Sequence, residues 1–191
     1  MPPKPKFTKG EIVEKALELV SRKGVDALTA RELGEALGSS ARPIFTVFKS
    51  MEEVRDEVRA AAMERFEHYA EDSFPDMPLF KQVGMKMVFF GIQEPKLYQL
   101  LFMQESRQPR SFEDIQSMLG EPAARCIRTI EEDYGLTPEK AKLLFDNMWL
   151  YTFGMGALCA TKVCQFSQER LSELLTTQFQ ALMLYVRASD A

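Results

Sequence analysis

Arg31, Arg42, Thr46 and Lys49 are residue types that bind phosphate oxygens and base edges, and they fall within one short stretch of the chain. Arg42 and Thr46 stand four residues apart, so on a helix they share a face, with Arg31 before them and Lys49 just after. Thr29 can cap a helix, Ser40 can cap the next one and turn its backbone N–H toward a phosphate, and Ala41 follows it in that first turn. Phe45 offers an apolar face for a thymine methyl or a sugar. The chemistry within reach of this set is recognition of double-stranded DNA, not bond breaking.

Catalysis has little material to draw on. His68 is the only histidine, and no Gly-rich phosphate loop, zinc-ligand spacing or nucleophile elbow is present. Cys126, Cys159 and Cys164 lie within helical patterns and read as free buried thiols, so neither a metal nor a cofactor is expected and the chain does not read as an enzyme. A second cluster is apolar. With 11 Met and 14 Phe, the chain suits a cavity that can repack, because methionine is flexible and polarisable. Phe89, Phe102, Met103, Phe145, Met148, Trp149 and Thr152 come from helices expected to converge around a small apolar effector, Trp149 and Thr152 supplying its polar anchors.

The elements that must position the first set are two short helices. Thr29 and Glu32 form the pattern of a capping box, Leu33, Ala36 and Leu37 recur at helical spacing, and Gly38 stops the helix. Ser39 and Ser40 open a second helix with Pro43 in its first turn and Ile44, Val47 and Phe48 as its buried side. Two short helices joined by a glycine-containing turn make a helix-turn-helix, whose second helix enters the major groove. A preceding helix, capped by Thr8 with Glu11 and ending at Gly24, completes a three-helix core of Ile12, Ala16, Leu17, Val20, Leu28, Leu33, Leu37, Ile44, Val47 and Phe48. Ahead of it, Lys4 and Lys6 among prolines suggest a basic arm for the DNA backbone or minor groove.

This stretch resembles the N-terminal DNA-binding domain of the tetracycline-repressor (TetR) family, about fifty residues ending in a Gly-x-Ser…Leu-Tyr-x-His-Phe-x-x-Lys pattern. Thr29, Arg31, Leu33, Leu37, Gly38, Ser40 and Phe48 match it, whereas Phe45 replaces the usual Tyr, Val47 the His and Met51 the Lys. Pro95–Met103 and Trp149–Gly154 further resemble a TetR subgroup with a Pro-x-Leu-Tyr-x-Leu-x-Phe segment and a later Trp-x-x-x-His-Gly, Phe153 standing for the histidine. The resemblance implies an all-α homodimer paired through its last two helices, with Phe179 and Leu182 near that interface.

The remainder of the chain reads as helices throughout. They run from Ser50 to about Asp72, from Leu79 to Gln93 with apolar residues on nearly every side, over Pro95–Met103, over Phe112–Tyr134 with an interruption at Gly120–Pro122, from a Thr137 cap to about Val163, and from Ser167 to Arg187. Gly154 and Gly156 inside a helix cost about 1 kcal/mol each, offset by close packing across a helix interface or by a distortion beside a ligand. Charge divides at the same place as the motifs: residues 1–50 carry nine Lys or Arg against six Asp or Glu, residues 51–191 fifteen against twenty-two, within an overall −4. Only the first part suits phosphates. The expected organisation is a helix-turn-helix domain over 1–50 and a helical effector-binding and dimerisation domain over 51–191. No apolar run reaches the roughly 18 residues of a membrane span and Met-Pro-Pro-Lys-Pro-Lys is no signal peptide, so a cytoplasmic protein with no membrane partner is expected. The function expected is a ligand-responsive repressor on a pseudopalindromic operator; the alternative is a helical adaptor that binds protein through the Arg42/Thr46 face.

Overall fold

Local capping chemistry sets where the helices begin. Thr8 Oγ1 accepts the Glu11 amide at 3.2 Å while the Glu11 carboxylate accepts the Thr8 amide at 2.7 Å, a complete capping box that opens α1, Lys9–Lys23. Thr29 likewise caps α2, Ala30–Ala36, accepting the Glu32 amide at 3.2 Å, but the expected box is only half made. Glu32 is drawn away by Lys23 at 2.6 Å, and the Thr29 amide donates instead to the Ala27 carbonyl. Ser50 accepts the Glu53 amide at the start of α3, Met51–Tyr69. The other helices are α4 (Leu79–Gln93), α5 (Pro95–Phe102), α6 (Phe112–Met118), α7 (Gly120–Tyr134), α8 (Pro138–Ala160) and α9 (Gln168–Ala188). The computed structural model describes residues 6–69, 78–105 and 111–188, with 116–118 as backbone alone. Lys4 of the expected arm, the Phe74–Met77 break, the expected helix end near Asp72 and part of the loop before Ser111 lie outside the described residues. Every regular element among the described residues is helical, so the chain is all-α, and none of these helices is long and apolar enough to cross a membrane.

The chain divides into two compact units, residues 1–71 with 93–104 and residues 72–92 with 105–191. In the first, α1 packs on α2, α3 and α5. Its core is Ile12, Ala16 and Val20 of α1 against Val54, Val58 and Ala62 of α3, closed by Leu28, Leu33, Ile44 and Phe48. Phe102 at the end of α5 sits edge-on to Phe66 of α3 at 5.4 Å and beside Tyr98 at 4.9 Å. Glu94, between α4 and α5, accepts the Ser21 hydroxyl at 2.8 Å and the Arg65 guanidinium, tying α1 and α3 to that junction.

In the second unit α8 packs on α7 and α9, and α4 buries Met85, Lys86, Met87 and Val88 in succession. Ile130 of α7, Leu144, Met148 and Met155 of α8, and Leu171, Leu175 and Val186 of α9 share its core. A Cβ added at Gly91 of α4 would stand 2.7 Å from the Gly156 carbonyl oxygen and 3.1 Å from its Cα, so these two helices meet backbone to backbone. Gly156 is therefore explained by close packing. Gly154 is not: a Cβ there would meet nothing within 4 Å. Phe179 and Leu182 turn inward, Phe179 lying 5.1 Å from the Tyr134 ring and Leu182 packing on the core, whereas Leu184 and Tyr185 are exposed. Both Phe179 and Leu182 are half-buried within the chain.

Candidate functional site

Residues 39–49 depart from the expected helix. After the Gly38 turn, at φ +63°, the chain bends through Ser40 and Ala41 into a 3-10 turn at Ile44–Thr46. Bonds from Ile44 N to Ala41 O, Thr46 N to Pro43 O and Val47 N to Ile44 O span three residues, and only Phe48 N to Ile44 O spans four. Two residues account for the tightening. Pro43 supplies no N–H, and the Thr46 hydroxyl donates to the Pro43 carbonyl at 2.6 Å, occupying the acceptor that an α-helical Val47 amide would use. The turn lies hard on α2: a Cβ at Gly34 would stand 2.9 Å from the Ala41 nitrogen and the Ser40 carbonyl carbon, so no larger residue fits there unless that backbone shifts.

This tight segment still sorts its side chains by face. Ile44 and Phe48 are buried and Val47 half-buried, anchoring it, while Arg42, Phe45, Thr46 and Lys49 are exposed on the other side, Phe45 to 47%. Neither the Arg42 nor the Lys49 side chain has a carboxylate partner among the described residues. Ser40 is exposed and Ala41 half-buried against α2. Thr29 is spent on capping, though its hydroxyl hydrogen is still available. Arg31, 85% exposed, pairs with Glu35 at 3.0 Å, which raises its already high pKa; a pair this exposed contributes little and can be exchanged for a phosphate. Lys6 donates to the Ser39 hydroxyl at 3.1 Å, adding a cation beside the turn.

The apolar set is only partly brought together. Phe145, Met148, Trp149 and Thr152 of α8 line one cavity of about 300 Å³ in the second unit. Phe89 packs on the core of that unit without lining the cavity. Phe102 and Met103 belong to the first unit, where Phe102 joins Phe66 and Tyr98 and Met103 is exposed. Their removal follows from the chain crossing between units at Gln93 and again after Gln104, a long-range fact that helical periodicity does not carry. The remaining wall comes from residues that sequence reasoning missed: Phe80, Lys81, Val83, Gly84 and Met87 of α4, Tyr134 of α7, and Leu175, Thr176, Phe179 and Gln180 of α9. Helical periodicity carries no signal for this wall, because it depends on which helices meet.

The polar groups of the cavity are few. Thr152 donates to the Trp149 carbonyl at 3.0 Å, so its hydroxyl hydrogen is committed to the helix. Burial, reinforced by Asp133, pushes the Tyr134 phenol above its ordinary pKa and keeps it a neutral donor. Trp149 stacks at a tilt on Phe153 at 5.3 Å and faces Phe112 at 6.0 Å. Elsewhere, the three cysteines are free; burial raises the Cys126 thiol, and burial with the nearby Cys164 raises Cys159, so neither buried thiol is a ready nucleophile. His68 is exposed, its Nδ1–H donating to the Glu64 carbonyl at 2.8 Å.

Residues 12–58 match the family of bacterial regulatory proteins described as the tetR family. No curated protein matches the chain. Among solved structures it is similar to a TetR variant from Acinetobacter baumannii AYE in complex with minocycline, at 16% identity and a TM-score of 0.59 over 97% of this chain and 99% of that one. It is also similar to a putative transcriptional regulator of the TetR family from Vibrio parahaemolyticus, at 18% identity and a TM-score of 0.60 over 92% and 98%. Residues 12–58 therefore match the tetR family of bacterial regulatory proteins, and the chain shares its fold with these two solved structures.

Proposed function

We propose that the chain is a cytoplasmic, ligand-responsive transcriptional repressor that binds a pseudopalindromic operator as a homodimer and is released by a small, largely apolar effector. The observation that carries the reading is the exposed set Arg42, Phe45, Thr46 and Lys49, held on buried Ile44 and Phe48 inside the family-matched segment. Thr29, Arg31, Ser40 and Ala41 supply the flanking contacts: Arg31 and the Ser40 amide to phosphates, Arg42 and Thr46 to base edges, Phe45 to a thymine methyl. Phe45 lacks the hydroxyl of the usual tyrosine and cannot bond a phosphate. Trp149 and Phe153 touch on α8, Phe153 standing where the subgroup has His.

Dimerisation is assigned to exposed apolar residues of the last two helices, Leu143, Leu150 and Leu158 on α8 with Leu184 and Tyr185 on α9. Two recognition segments then read half-sites about 34–36 Å apart. The effector site is the α8 cavity with Phe145, Met148, Trp149 and Thr152; Phe89 supports it from behind, and Phe102 and Met103 act only through the first unit. An effector can release DNA only by favouring the geometry that does not bind it. The route we assign runs along α4, which lines the cavity near its start and is followed by Glu94, held by Ser21 of α1 and Arg65 of α3.

Selection of bound sequences from random DNA tests the reading. A palindromic consensus and a log-linear loss of affinity with salt are expected; absence of any enriched sequence, with retention of a protein partner through the Arg42 face, would instead establish the adaptor alternative.

A further inference from the structure

Among the described residues that line the cavity of the second unit, one is charged. Lys81, in the first turn of α4, is half-buried and lines the cavity, and its Nζ has a single hydrogen-bond partner, the Thr176 hydroxyl at a long 3.5 Å. Among the described residues no carboxylate pairs with it and no Asp or Glu lines the cavity. The first turn of α4 has no acidic residue, so the positive end of a fifteen-residue helix adds to the ammonium. Thr176 and Gln180, one turn apart on α9, bring neutral hydrogen-bonding groups to the same wall. A half-buried ammonium whose partner among the described residues is one distant hydroxyl keeps donors that a bound anion can use.

Resting on the assignment of this cavity as the effector site, the geometry points to an effector of defined class: a small organic carboxylate, its head group on Lys81, Thr176 and Gln180 and its apolar body against Phe80, Met148 and Phe179. The ammonium offers three donors and the two other groups supply at least one each, enough for both carboxylate oxygens. At about 30 Å³ for each water-sized group, a space of about 300 Å³ holds on the order of ten non-hydrogen atoms. That is the size of octanoate.

The test uses the whole 191-residue chain with three matched probes: octanoate, octan-1-ol and octylamine. Binding is read by calorimetry and by Trp149, the one tryptophan of the chain, which lines the same cavity. Octanoate is expected to bind at least about tenfold more tightly than octanol, the size of one charge-assisted hydrogen bond, and octylamine more weakly than either. Lys81→Met keeps the apolar stem and should bring octanoate down to the octanol level with octanol unchanged, whereas Lys81→Glu should reverse the order in favour of octylamine. Equal affinities for all three probes, or an octanoate preference that survives in Lys81→Met, would overturn the carboxylate assignment and leave the cavity as effector site. Silence of Trp149 and of the calorimeter towards all three would overturn both.

Discussion

Two glycines of α4 give a prediction in which the main uncertainty cancels. Gly84→Ala and Gly91→Ala each replace a helical glycine by the best helix former, a gain of about 0.8–1.0 kcal/mol in either case. They differ in what the new methyl meets. At Gly84 it would stand 3.1 Å from the Thr152 Cγ2, a side-chain methyl that can yield by a few tenths of an ångström; at Gly91 it would stand 2.7 Å from the Gly156 carbonyl oxygen, which belongs to the backbone of α8. Inserting a methyl into packed backbone costs about 1–3 kcal/mol. Gly84→Ala should therefore match the wild type or exceed it slightly, while Gly91→Ala falls below Gly84→Ala by about 1–3 kcal/mol. For a chain of this length each kcal/mol shifts the melting temperature by roughly 2–4 °C, so the two variants should separate by roughly 2–12 °C. Trp149 reports on the unit concerned, since it lies on α8 and no other tryptophan is present. Thermal melts followed by its fluorescence at one protein concentration suffice. Coincident melting of the two variants would refute the backbone contact between α4 and α8.

Three further outcomes are expected at and between the two candidate sites. Arg42→Ala should relax base preference at one operator position, at a cost of about 1–3 kcal/mol, whereas Lys49→Ala should weaken all sequences alike and flatten the salt slope by about one unit; competition titrations at several salt concentrations separate the two. Glu94→Gln keeps an acceptor for Ser21 but loses the charge that meets Arg65, so ligand-free operator affinity should stay within about twofold while the effector's influence on it shrinks, as a paired titration would record. Met148→Trp fills the cavity and should lower operator affinity without any ligand; unchanged DNA binding with ligand excluded would break the proposed coupling.

What could be read in advance follows from the range of the interaction involved. Helix starts at Thr8, Thr29, Ser50, Thr137 and Ser167 depend on hydrogen bonds to an amide three residues on, and all five hydroxyls accept that amide. Burial of Ile44 and Phe48 against exposure of Arg42, Phe45 and Thr46 is equally local. The 3-10 winding of the same segment was not legible, because it turns on whether Thr46 gives its hydroxyl to the Pro43 carbonyl or to water. Nor was the cavity as a whole. Phe102 and Phe145 look alike in sequence, yet one completes a cluster with Phe66 and Tyr98 and the other lines the cavity, since the chain changes unit on either side of α5. Lys81 and Phe179 enter only once α4 and α9 are known to share a wall.

Gly154 is a mid-helix residue for which the chain alone supplies no reason. It lies inside α8, where glycine costs about 1 kcal/mol relative to alanine, and a Cβ there would meet nothing within 4 Å. Its neighbours at helical spacing are Leu143, Asn147, Leu150 and Leu158, all exposed, so it sits in the middle of the apolar stripe assigned to the dimer. A gap at that point lets a partner helix approach as closely as α4 approaches Gly156 at Gly91. Gly154→Ala should accordingly act in two directions: better helix formation in the isolated chain, and a looser dimer. Overpacking of about 1–3 kcal/mol at a contact made by both subunits corresponds to a rise in the dimer dissociation constant of about 5- to 150-fold. Sedimentation equilibrium of the wild type and Gly154→Ala, with operator binding measured on the same samples, reads both effects. A dimer as tight as the wild type's, on a chain made more stable by about 1 kcal/mol, would place Gly154 on open surface and move the interface to another face of α8 and α9.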